Sequence, residues 1–209
     1  MEGMNINLND EQYTKVGGDF KIFNDGLAGV TENVTLAISR RGKDEKDTLP
    51  DYKITFTDES GSTVNTSFYY IKEATQYKTI EQQVKSQGQV LVHLVHAIVD
   101  PAYKFPAFGS SKELLDGCIK IIKAGIDAAP KAKYRIFTNY GSTKSPKTFL
   151  QPRSWVPFIE NASVSIENSR LEVSKIDQMS RLAPDEKPAS GNATSAGHAG
   201  TTPNDEDWD

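Results

Sequence analysis

DYKITFTDESGSTVNTSFYYI, residues 51–71, carries the clearest signal of the fold. Tyr52, Ile54 and Phe56 alternate with Lys53, Thr55 and Thr57, the two-residue period of a half-buried strand. Asp58-Glu59-Ser60-Gly61 is a turn signal, and Val64 to Ile71 returns as a partner strand, closing a hairpin. Just upstream, Val34, Leu36 and Ile38 alternate with Thr35 and Ser39, which adds a preceding strand. Arg40 to Pro50 is charged and rich in breakers, so it reads as the connecting loop.

Downstream the period changes. Ile80, Val84, Leu91, Val95 and Ile98 recur at helical spacing, and Asp100-Pro101 ends the run. Ser110 or Ser111 caps a second helix carrying Leu114, Leu115, Cys118, Ile119, Ile122 and Ile126, which Ala129-Pro130 terminates. Lys133 to Tyr140 reads as a strand, Gly141 to Pro146 as a turn, and Lys147 to Gln151 as its partner. A further extended stretch runs from Trp155 to Ile166. Three strands, a helical insert at about 79–129 and at least two more strands give a mainly β fold. The expected architecture is an OB-fold-like five-stranded antiparallel barrel with helices between the third and fourth strands. It would occupy residues 1–182.

The 209 residues hold one cysteine, Cys118, which excludes an internal disulfide and a thiolate zinc finger and suggests a reducing, cytoplasmic setting. The longest apolar run, Val90 to Val99, contains His93 and His96 and is far short of a membrane-spanning helix. The N-terminal sequence MEGMNINLNDEQ has no secretory pattern. Enzyme signatures are weak. His93 and His96 stand three apart on a helix, but no Glu follows His93, so the helical zinc-protease pattern is missing. A metal-dependent nuclease or hydrolase is therefore a distant rival. The reading is of a non-enzyme without cofactor or metal, with Cys118 a small core residue.

Charge is unevenly spread. Residues 101–153 carry 10 Lys and Arg against 3 Asp and Glu, a net of +7. Residues 183–209 carry Lys187 against six acids, a net of -5. The latter stretch, APDEKPASGNATSAGHAGTTPNDEDWD, has no aliphatic residue larger than Ala and is expected to be a disordered acidic tail. Within 131–155, cations interleave with rings and no acid falls. Single strands are held by this mixture, cations on phosphates and rings on bases. The candidate binding residues are Lys133, Arg135, Phe137, Tyr140, Lys144, Lys147, Arg153 and Trp155, with Lys53 and Tyr69 from the hairpin. Alternation puts Lys133, Arg135 and Phe137 on one face, expected to point outward, and Tyr134, Ile136 and Tyr140 toward the core. Arg40, Arg41, Lys43 and Lys46 form a possible second rim.

Strand order, the basic-aromatic window and the tip NDEDWD together resemble phage and bacterial single-stranded DNA-binding proteins. The resemblance implies a protein that coats single-stranded DNA in replication, recombination or repair, phage-encoded and working in the host cytoplasm. It also implies a tail whose tip, here Asp205, Glu206, Asp207, Trp208 and Asp209, recruits replication or recombination proteins and competes with DNA. This chain departs from the pattern by using Trp and by placing Asp after it. The main alternative is a phage virion component, a tail or neck protein that ignores nucleic acid. Oligomeric state, including a possible homodimer, is not legible. Deleting residues 183–209 is expected to tighten binding to a dT oligonucleotide, most at low ionic strength, as read by anisotropy. Unchanged or weaker binding would exclude self-competition.

Overall fold

A computed structural model of the chain describes residues 22–42, 49–142, 145–154 and 156–181. Six antiparallel strands form one sheet: β1 (Gly29–Arg40), β2 (Tyr52–Thr57), β3 (Thr63–Phe68), β4 (Tyr134–Ser142), β5 (Ser145–Pro152) and β6 (Ile159–Asn161). Helices α1 (Ile80–Ile98) and α2 (Ser111–Ala128) stand between β3 and β4.

The hairpin forms where alternation placed it. Tyr52, Ile54 and Phe56 are buried, and β2 pairs with β3 from Tyr52↔Phe68 to Thr57↔Thr63. The turn is tied by Asp58, whose Oδ1 accepts from Ser60 N and Ser62 N at 2.9 Å. Strand β1 serves two ladders. Thr35–Arg40 pair with β2 and Gly29–Val34 with β4, with a bulge between Thr31 and Val34. Asn33, at φ 58°, sits in that bulge and lets the strand bend. The sheet order is β3-β2-β1-β4-β5, and β6 shares an edge of β4 with β5.

This curl brings the edge strands β3 and β5 alongside each other, but no ladder joins them among the described residues. One expectation is corrected, since the sheet has six strands among the described residues rather than five, and the expected barrel closure is not shown by them. Strand β6 lies inside the extended stretch expected from Trp155 to Ile166, where Ile159, Glu160 and Asn161 pair with β4.

Each helix starts on a side-chain cap. Thr79 and Gln82 make a capping box on α1, and Ser110 accepts from Glu113 N at 3.2 Å on α2. The C-terminal half of α1 buries Val90, Leu91, Leu94, Val95 and Ile98; α2 contributes Leu115, Cys118, Ile119 and Ile122. The helices nearly touch at Gly125, where an added Cβ would lie 2.9 Å from side-chain atoms of Ile98 and Val99. Asp116 then anchors α2 to the sheet end. Its Oδ1 accepts from Tyr52 Oη at 2.8 Å and Tyr70 Oη at 2.6 Å, while Lys112 reaches Oδ2. Burial would raise the Asp116 pKa, but the hydrogen bonds from Lys112, Tyr70 and Tyr52 outweigh it and hold the carboxyl low.

Strand β4 is buried from Tyr134 through Gly141. Tyr134, Ile136 and Tyr140 join the main core, as alternation indicated. The opposite face, expected in solvent, is covered by the chain after β5. Arg153 is the clamp. Its guanidinium lies 3.9 Å from the Phe137 ring centroid, donates to Asp177 and to Glu172 O, and reaches Pro157 O at 3.2 Å. Asp177 also accepts from Asn139 Nδ2 at 2.8 Å and Ser174 N at 2.7 Å. Beside it, Gln178 exchanges backbone hydrogen bonds with Tyr140 and Gly141.

Removing one member of a buried ion pair leaves an uncompensated charge. Arg153→Ala is expected to lower stability by about 3–5 kcal/mol in urea melts. The double change Arg153→Met with Asp177→Leu should cost less than that single. Equal or greater loss in the double variant would mean the pair is not the source of the effect.

Candidate nucleic-acid interface

The structure separates the predicted binding residues into three groups. Arg135, Phe137, Tyr140 and Arg153 are buried, at 4%, 0%, 6% and 1% exposure, and cannot present a binding surface in this fold. This corrects the outward placement of Arg135 and Phe137. The charges are internal: Arg135 Nη2 meets Glu160 Oε1 at 2.8 Å, and Glu160 also accepts from Ser169 and from Arg170 N. Tyr140 Oη donates to Gly26 O at 2.6 Å. The window 131–155 holds no acid, but its two arginines find acids from beyond it.

Lys53, Tyr69, Lys133 and Lys147 are exposed and remain available. Lys144, Trp155 and the tail residues Asp205, Glu206, Asp207, Trp208 and Asp209 lie outside the described residues, as do Lys43 and Lys46 of the second rim. Of the remaining rim residues, Arg41 pairs with Asp51 at 2.8 Å, and Arg40 sits 5.6 Å from the Tyr52 ring centroid.

A different surface emerges around the open seam of the sheet. Register places Ser39, Lys53 and Ser67 in one row across β1, β2 and β3, and Ala37, Thr55 and Asn65 in the next. These are outward positions of the three strands, small and mostly polar apart from Lys53. The face runs into a groove of about 440 Å³ between the end of β3, the first half of α1 and the end of β5. Ser67 and Tyr69 line one wall, Lys78, Gln83 and Gln87 the second, and Gln151 the third.

Exposed rings stand beside it. Tyr69 is 46% exposed within the groove, and Tyr77, next to Lys78, is 84% exposed. On β5, Leu150 is buried while Phe149 is 61% exposed, so Lys147, Phe149 and Gln151 share the outward face. The connection between β3 and α1 is held by Gln83 Nε2, which donates to Glu73 O at 2.9 Å, and by Lys78 Nζ, which donates to Ser86 Oγ at 3.4 Å. Sequence reasoning missed Tyr77, Lys78, Gln83 and Gln87. The signal was present: the first half of α1 reads IEQQVKSQGQ, almost without apolar residues, so it could not be packed on a core.

The histidines have other surroundings. The half-buried His93 ring meets Phe158 edge-on with centroids 6.3 Å apart, and the His96 ring lies 5.7 Å from that of Phe105. No group of three or more possible metal ligands occurs among the described residues. Cys118 is buried, and burial pushes its thiol up to about 11. No helix among the described residues is long and apolar enough to cross a membrane. Compared with known proteins, no family model, no curated protein and no solved structure matches the chain.

Burial, and then the neighbouring His96, lower the pKa of His93 below its ordinary 6.5. The fold disfavours the protonated ring, so the unfolded chain takes up the proton first as pH falls. Stability from this site is therefore complete above 6.5 and declines below it. The urea midpoint of the wild type should drop more between about pH 7.5 and about pH 5.5 than that of His93→Gln. Equal drops would assign the pH dependence to other groups.

Proposed function

We propose that the protein coats single-stranded DNA during replication or recombination, binding it along the hairpin face and into the groove between β3, α1 and β5. The observation that carries this reading is the grouping of exposed rings and cations at one seam. Tyr69, Tyr77 and Phe149 are solvent-facing; Lys78 lines the groove with Tyr69, Lys147 shares the outward face of β5 with Phe149, and Lys53 stands opposite Ser67 of the groove wall. Rings on an ordinary surface expose apolar area without gain, whereas bases stack on them for about 1–3 kcal/mol each. Neutral amides and hydroxyls between the rings can bond base edges or sugars without requiring a particular duplex geometry.

The strand order supports the same reading at the level of fold. An OB-fold is a partly open five-stranded barrel that binds oligonucleotides over its second and third strands and adjacent loops. Here β3-β2-β1-β4-β5 with β3 beside β5 follows that path, β6 being additional, and the helices enter between β3 and β4. A non-enzymatic role, work in the cytoplasm of a host cell, and recruitment of replication or recombination proteins by the acidic tip Asp205 to Asp209 belong to this proposal.

Anisotropy of a labelled dT oligonucleotide at two salt concentrations tests it. Binding should be tight, salt-sensitive and much weaker for duplex DNA. Tyr69→Ala or Phe149→Ala should each weaken binding by about 1–3 kcal/mol with the salt slope unchanged. Lys78→Ala with Lys147→Ala should instead reduce the slope by about 0.7 for each phosphate that is no longer neutralised. Absence of binding even at low salt would overturn the proposal and leave the virion component as the reading.

A further inference from the structure

A second groove of about 440 Å³ lies between the end of β1 and α2, and it shares no lining residue with the first. Ile38, Tyr52, Ile119 and Ile126 give it an apolar lining, and Arg40, Lys120 and Lys123 supply cations. Its two acids are engaged. Asp127 pairs with Lys123 at 2.7 Å, and Asp116 accepts from Tyr52, Tyr70 and Lys112. Arg40 faces the Tyr52 ring, and neither it nor Lys120 meets a carboxylate among the described residues. Two exposed cations thus stand over apolar side chains without a counter-charge.

The strand beside this groove also has an open edge. The ladder of β1 with β4 ends at Val34, while β1 continues along β2 to Arg40. Arg41 N donates to Asp51 O at 3.0 Å, and hydrogen-bonded pairs alternate along an antiparallel ladder. Leu36, Ile38 and Arg40 therefore turn their backbone N–H and C=O groups away from β2, and no strand takes them among the described residues. An extended segment laid there would gain main-chain hydrogen bonds. To match the groove, it needs acids around an apolar ring.

Asp205-Glu206-Asp207-Trp208-Asp209 has that composition, four acids around one ring. Tyr13 and Phe20, which also lie outside the described residues, have Lys15 and Lys21 close by instead. The last described residue before the tip is Arg181, and residues 182–208, 27 in all, span up to about 90 Å when extended. A body of this size is roughly 40 Å across, so the tip can reach any of its faces.

We propose that the tip Asp205 to Asp209 docks in the second groove of its own chain as an added strand on β1. Trp208 lies against Ile38 and Ile126, and the acids face Arg40 and Lys120. The tip is thereby withheld from partners while the groove of β3, α1 and β5 stays open, in place of the direct competition with DNA that the resemblance implied.

The test is fluorine NMR of the full chain grown with 5-fluorotryptophan. Loss of a signal in Trp208→Phe assigns Trp208, and a synthetic peptide of residues 201–209 gives the free position. At low salt the Trp208 signal should be displaced from that of the peptide, by an amount independent of protein concentration. Arg40→Glu with Lys120→Glu should abolish the displacement, as should high salt. Lys120→Glu alone, on the exposed side of α2, serves if urea melts show that the pair does not fold. A wild-type signal that coincides with the peptide at low salt would overturn docking, whether the groove is empty or filled by residues 1–21. A displacement that survives the charge reversal would overturn the site, and its removal by Lys78→Glu would place the tip in the groove of β3, α1 and β5. One that grows with concentration would assign the tip to a second copy and overturn docking within the chain. No DNA is present in these measurements, so their outcome is separate from that of strand binding.

Discussion

The buried contact between Arg153 and Asp177 holds the chain after β5 against strand β4. Strand β4 is an interior strand of the sheet, with β1 along one edge and β5 and β6 along the other. One of its faces is covered by the helices and the hairpin core, and the second would lie open without the chain after β5. Arg153 draws that segment over Phe137 by joining Asp177, Glu172 and Pro157 in one cluster. The ion pair is a costly device, because two charges lose their water. Here the cost is offset by the number of polar groups met at once: Asp177 also satisfies Asn139 and Ser174 N. Arg135 with Glu160 repeats the arrangement one strand end away.

With β4 sealed on both faces, the seam between β3 and β5 is a place where polar groups remain at the surface. The seam is open because β1 changes partners at its bulge and the sheet curls without a shared ladder at its ends. The polar first half of α1 runs beside that opening, and the rest of the helix is packed on the core. The scaffold thus carries a groove lined by amides, hydroxyls and the exposed ring of Tyr69.

Much of the framework was legible in the chain because its signals are local. Alternation at Tyr52, Ile54 and Phe56 marked the hairpin, and helical spacing with Thr79 and Ser110 as caps placed both helices. Cys118 sat on the apolar side of α2 and is buried. The candidate site was less legible. Lys53, Tyr69 and Lys147 are exposed, whereas Arg135, Phe137, Tyr140 and Arg153 are interior. The basic-aromatic window looked like a surface because no acid falls within it.

Local pattern was enough to settle the class of each segment: where the chain pleats, where it coils, and where its composition turns acidic and polar after residue 182. Period and capping act over a few residues, so they survive without knowledge of the fold. Which charges are free depends instead on how distant segments meet. Arg153 finds its acid 24 residues later, and Tyr69 meets Gln87 across 18. Pairings at that separation follow from how the sheet curls and what covers it, and no local pattern encodes them.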